Sequence, residues 1–219
     1  MITSRYSLST LSHQNRLIVA AGGIVGVDRA DQVHRTDIVE IYSSTEGKWL
    51  STKRLPFPRS DSPVVIIQEK CFILGGATAE TSLSHITTFE DVETLLLHTT
   101  AKEKGSTLKT PRWRKLPAHH PLTSPSSVEL NQRLLTTGGS WLKDETGGGG
   151  NNPKFGTKFV SFYDFETDVW VECENAELPV PLYRSGAVKL SEDTVMVVGG
   201  QFDSKQFSAT AFIGTQEKP

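Results

Sequence analysis

Cysteine is nearly absent from this chain of 219 residues, which has only Cys71 and Cys173. So small a supply excludes the disulfide-dense frameworks of small secreted domains and fits a reduced, cytoplasmic setting. A charge of one sign is lacking too, because 23 basic and 25 acidic residues leave a formal net charge of -2. That balance offers no field to attract nucleic acid or an anionic membrane surface. Long hydrophobic runs are missing, and nothing approaches the roughly 20 apolar residues that a bilayer-crossing helix needs. The most apolar stretch, Leu17 to Val27, follows a polar segment and is interrupted by Gly22 and Gly23, so it reads as a buried strand rather than a signal-peptide core. Gly147 to Gly150 lack the Gly-Lys-Ser/Thr ending of a phosphate loop. Of the histidines only His119 and His120 adjoin, and none stands at zinc-ligand spacing with a cysteine or carboxylate pair. No metal and no cofactor are therefore expected.

What is there is repetition. An apolar, β-rich run ending in a glycine pair occurs four times, at Gly22-Gly23, Gly75-Gly76, Gly138-Gly139 and Gly199-Gly200. The intervals between first glycines are 53, 63 and 61 residues, a period of about 50 with insertions. Other signals keep phase with the glycines. Tyr42 precedes Trp49 by seven residues and Tyr163 precedes Trp170 by the same seven, with turn chemistry between, which predicts two tight hairpins. Trp113 follows a β-rich run in the second unit, and Leu-Pro then recurs at 55, 116 and 178. An arginine comes next in two units, as Arg59 and Arg184, and Arg5 sits in the equivalent place before the first glycine pair.

This order of glycine pair, Tyr, Trp, Leu-Pro and Arg resembles the Kelch repeat, most closely over Tyr163 to Trp170. The resemblance covers nearly the whole chain. It implies an all-β, Kelch-type β-propeller with units near 5–58, 59–119, 120–183 and 184–219, three complete and the last truncated. Such a chain is either part of a larger propeller or a small one with an open last blade, since propellers close their ring. Glycine fits where backbones crowd, and Tyr42, Trp49, Trp113, Tyr163 and Trp170 are the expected fillers between neighbouring sheets. Residues 88–105 also fit an amphipathic helix, but their phase favours a third strand. Residues 140–157 read as a flexible loop.

The resemblance implies a protein-binding module that presents its loops to a protein partner of unknown identity, as a scaffold or substrate-recognition component. Arg5, Arg59 and Arg184 are candidates for that surface, though repetition in phase favours a structural role capping backbone carbonyls. Trp141, directly after a glycine pair and outside any repeat position, is a candidate hot spot or a lid over the inserted loop. Asp28, Arg29 and Arg35 are weaker candidates. The alternative is a propeller enzyme resembling galactose oxidase or the sialic-acid mutarotases. Against it, the chain has neither a Tyr-Cys-His set of recognisable spacing nor a sialidase-type box, so no catalytic residue is assigned.

Overall fold

A computed structural model gives the protein's structure and describes residues 1–14, 17–29, 32–52, 54–67, 70–78, 87–88, 92–96, 114–115, 122–141, 155–173, 175–203 and 205–216. Strands account for all the regular structure among them. The first unit holds β1 (Ser9–His13), β2 (Leu17–Ala21), β3 (Ile24–Val27), β4 (Val33–Arg35), β5 (Val39–Ser43) and β6 (Lys48–Ser51). Next come β7 (Val64–Ile67), β8 (Lys70–Leu74), β9 (Ala77–Thr78), β10 (Thr87–Thr88), β11 (Val92–Leu96) and β12 (Arg114–Lys115). The third holds β13 (Leu122–Thr123), β14 (Ser126–Leu130), β15 (Arg133–Thr137), β16 (Ser140–Trp141), β17 (Phe155–Gly156), β18 (Val160–Asp164) and β19 (Val169–Glu172). The fourth holds β20 (Gly186–Lys189), β21 (Thr194–Val198) and β22 (Ala211–Thr215).

Three antiparallel four-stranded sheets run in the orders β1-β2-β5-β6, β7-β8-β11-β12 and β14-β15-β18-β19, and a three-stranded sheet runs β20-β21-β22. In each, the runs rich in Val, Ile and Leu pair with their sequence neighbours, the simplest outcome for a half-period of two. Pairing of β11 along β8 decides the strand reading for Val92–Leu96 over the helical one. Trp113, Leu116, Pro117, His119, His120 and Gly147 to Gly150 lie outside the described residues.

The sheets stack in chain order. Val19, Ala21 and Val39 of the first pack on Val64, Cys71 and Ile73 of the second. The second sheet's other face, Val65, Ile67, Phe72 and Leu74, takes Leu134 and Tyr163 of the third, with Trp170 alongside. Leu130 and Leu135 of the third then meet Val195 of the fourth. Tyr163 is fully buried, edge-on to Phe165, and donates its hydroxyl hydrogen bond to Asp168 in the turn that returns to β19. Strand burial reports each sheet's place in the stack. The second strands β8 and β15 are buried on both faces, whereas β21 alternates and exposes Val198.

Among the described residues, two faces of the stack stay uncovered. Register places Ile18, Tyr42 and Trp49 of the first sheet where the third has Leu134, Tyr163 and Trp170. Leu134 is fully buried, but Ile18 is 40% exposed, and among the described residues no sheet lies in front of it. At the far end Val188, Val198 and Ile213 are exposed. Tyr163 is thus fully enclosed between sheets, whereas Tyr42 is only half-buried.

Two outcomes follow from this packing. Tyr163→Ala is expected to cost about 3–5 kcal/mol of folding stability in urea denaturation, and Tyr42→Ala clearly less; equal losses would contradict the stacking order. Burial pushes the Cys71 thiol up from 9.0 to about 12, so at pH 8 it should resist alkylation until the protein unfolds. Because the folded state holds this proton more tightly, the corresponding stability is present below pH 9 and is lost as pH rises towards 12. Labelling of native protein followed by peptide mass analysis checks the first point.

Candidate axial binding site

The four strands that begin the sheets, β1, β7, β14 and β20, line up side by side, with β7 against β1 and β14, and β14 against β20. Each is preceded by a short bridge to the residue just after a glycine pair: Tyr6 to Ile24, Ser60 to Ala77, Thr123 to Ser140 and Tyr183 to Gln201. The next residue in every unit turns left-handed, at Ser7 (φ 51°), Asp61 (58°), Ser124 (54°) and Arg184 (56°). None is glycine, so each costs on the order of 1–3 kcal/mol in backbone strain.

What holds the strain is a chain of backbone hydrogen bonds from sheet to sheet. The amide of Asp61 donates to Ser7 O (3.1 Å), that of Ser124 to Asp61 O (3.2 Å) and that of Arg184 to Ser124 O (2.9 Å). Equivalent atoms of successive units are thus bonded to one another around the inner ends of the sheets.

Asp61, Ser124 and Arg184 border a wide-mouthed cavity of about 330 Å³, lined also by Ser62, Ser126 and Ser185 among others. Among the described residues the lining is hydroxyl-rich and carries one carboxylate and one guanidinium. Ser126 and Ser185 share a hydrogen bond across two sheets (2.7 Å), and Ser62 donates to Gly75 O (3.1 Å). Ser60 donates to Asp61 Oδ2 (2.8 Å), and Arg184 Nη1 donates to Gln201 Oε1 (3.3 Å). The Ser124 hydroxyl is buried without a partner in the protein. Among the described residues no group of three or more His, Cys, Asp or Glu is placed to hold a metal ion.

The residues singled out in the sequence separate here. Arg5 is buried, donates to Ala20 O (3.0 Å) and contacts the Glu40 carboxylate at 3.2 Å. Burial pulls the Arg5 guanidinium below its ordinary value, and Glu40 works against that shift. Glu40 also accepts from the Thr3 amide, 3.0 Å away. Arg59 is fully buried, donates to Gly75 O (3.3 Å), and its own carbonyl accepts from the Gly23 amide (2.8 Å). Both are braces of the fold.

Arg184 is a correction: it does not share their phase. Register aligns Arg5 and Arg59 with Leu122 and Leu182, so Arg184 falls one residue later, at the left-handed position of Asp61. That single step takes it out of the buried row and into the cavity wall. Trp141 is corrected too. It belongs to β16, paired with Leu122 and Phe155, at the repeat position that Val25 fills in the first unit. Arg29 is exposed near the turn between β3 and β4, and Arg35 ends β4 and donates to Ser60 Oγ (2.9 Å). The segment after the first glycine pair forms the β3-β4 hairpin. Asp61, Ser62 and Ser124 were not singled out, although the serines crowding the start of each first strand were a readable signal.

Sheets of this kind, stacked in series with their first strands innermost, have a Kelch-like β-propeller arrangement. A solved structure described as "Structure of YjhT" superposes on the chain with a TM-score of 0.75 at 12% identity, over 99% of this chain and 70% of that one. No family model and no curated protein matches the sequence. The structural likeness shows the fold.

Removing the buried guanidinium in Arg5→Met should leave Glu40 unpaired and cost about 3–5 kcal/mol. The exposed pair of Arg54 with Asp37 (2.6 Å) should be worth under about 1 kcal/mol when Arg54→Ala removes it. Denaturant midpoints of the two variants check the contrast.

Proposed function

We propose that the axial cavity is a small-molecule site and that the protein works as a mutarotase-like enzyme on a reducing sugar of the sialic-acid type. The observation that carries this reading is the cavity itself, in which a carboxylate, a guanidinium and several hydroxyls from successive sheets converge. Such a lining suits a polyhydroxylated ligand bearing an acidic group, with Arg184 facing the acid and the serines its hydroxyls.

Interconversion of anomers needs little machinery. Asp61 accepts the proton of the anomeric hydroxyl while the ring oxygen takes one from water at the open mouth. The bond between the anomeric carbon and the ring oxygen breaks, leaving an open-chain carbonyl. Rotation about the adjacent bond and reversal of the same transfers closes the other anomer, returning both protons. Asp61 therefore acts as general base on opening and as general acid on closing, a task for a positioned carboxylate.

The second reading is the protein-binding module. It is favoured by Val25 and Val27 on the β3-β4 hairpin and by Phe207, which is 72% exposed. One experiment separates the two. The exchange of α- and β-N-acetylneuraminate, followed by proton NMR, should accelerate with the wild-type protein, and Asp61→Asn should lower that rate by about 10²–10⁴-fold. No acceleration by the wild type would overturn the enzyme reading and leave the binding module.

A further inference from the structure

We propose that Arg35 is a positioning residue for the axial carboxylate, acting through Ser60 to fix the orientation and proton polarity of Asp61; this rests on the reading of the cavity given above. Arg35 does not line the cavity. It closes the β3-β4 hairpin of the first unit, opposite Ile24, and reaches across to the second unit. Its Nε donates to Ser60 Oγ at 2.9 Å, and Ser60 Oγ lies 2.8 Å from Asp61 Oδ2.

The direction of this relay follows from what each group is able to do. Arg35 Nε is only a donor, so Ser60 Oγ must accept from it. A hydroxyl has a single proton, and the proton of Ser60 is left for Asp61 Oδ2. Asp61 is therefore held as an acceptor at that oxygen, and Oδ1 is left for a bound molecule. Ser60 cannot swing to another partner easily. It is buried, and its backbone is bonded in both directions to Ala77, at 3.0 and 2.8 Å. The Arg35 end is fixed as well, since the adjacent Thr36 bonds through its amide to Gly23 O (2.9 Å) and through its carbonyl to the Arg59 amide (3.2 Å).

Electrostatics supports the same assignment. Burial lowers the Arg35 guanidinium from its ordinary value, and the facing groups that oppose the shift are Asp61 and Tyr6. Arg35 Nη1 is buried without a hydrogen-bond partner in the protein. A half-buried cation that leaves one of its nitrogens without a partner in the protein is a costly staple if packing were its only role. Its charge is spent near the one carboxylate among the cavity residues named above.

The test uses N-acetylneuraminate exchange by NMR on the whole chain, with melting temperature measured beside it. Arg35→Met and Ser60→Ala should each lower kcat by about 10–100-fold through misplacement of the carboxylate, with KM within about twofold of the wild type. Arg35→Lys, which keeps a donor for Ser60, should recover most of the loss. A structural staple alone would instead lower the melting temperature without splitting kcat from KM, and Lys would give no selective rescue. That pattern, or wild-type kcat in both Arg35→Met and Ser60→Ala, overturns the assignment.

Should Arg35→Met fail to fold, Ser60→Ala breaks the relay with less disturbance. If the wild type shows no exchange activity, the reading of the cavity fails, and the relay is judged by spectroscopy alone. A slowly exchanging Arg35 Nε–H signal in 1H–15N spectra, lost in Ser60→Ala, supports it. A signal that exchanges rapidly in the wild type refutes it.

Discussion

Close approach of one sheet's backbone to the next is the constraint on which the rest of this structure depends. At the end of each of the first three second strands, the second glycine of the pair gives its amide to a carbonyl of the following unit. Gly23 bonds to Arg59 O (2.8 Å), Gly76 to Leu122 O (3.4 Å) and Gly139 to Leu182 O (2.8 Å). A side chain at Gly138 would place its Cβ 2.5 Å from Leu182 O, nearer than atoms tolerate, and the φ of +62° there is one that glycine adopts without penalty. Glycine pairs are thus the joints by which one sheet is bonded to its neighbour. The apolar faces between sheets then fill around those joints.

The site is a consequence of the same joints. Once the glycine pair is fixed, the chain entering each first strand must turn sharply, and the turn falls on Ser7, Asp61, Ser124 and Arg184. Their amides and carbonyls bond from unit to unit, so the strain of one turn is shared by the next. Side-chain identity at these positions differs from unit to unit. Three of the four border the cavity, and they differ in chemistry: a carboxylate, a hydroxyl and a guanidinium. Repetition supplies the geometry and departure from repetition supplies the chemistry.

Most of the architecture was legible in the sequence because its signals are local and periodic. Four glycine pairs, two Tyr-to-Trp hairpins and the strand runs between them lie where they were expected. The site was less legible. Matching arginine with arginine aligned Arg184 with Arg5 and Arg59, whereas strand register moves it by one residue, and in extended chain one residue reverses the face. Asp61 and Ser124 were missed because polar residues before a strand do not by themselves say which of them takes the left-handed turn. Trp141 looked like an insertion because it follows the glycines directly, yet the short strand it joins recurs after every pair as a strand or bridge. The buried role of Arg5 depends on Glu40, 35 residues away in sequence, and such pairing has no local signal.

Amide hydrogen exchange at Asp61, Ser124 and Arg184 tests the central claim most directly. Each amide sits near a wide-mouthed cavity, where an unbonded N–H would exchange quickly. Bonding from sheet to sheet predicts that all three are protected and that they open together with the strands β7, β14 and β20. Rapid exchange at these three positions, in a protein whose second strands remain protected, would contradict the account.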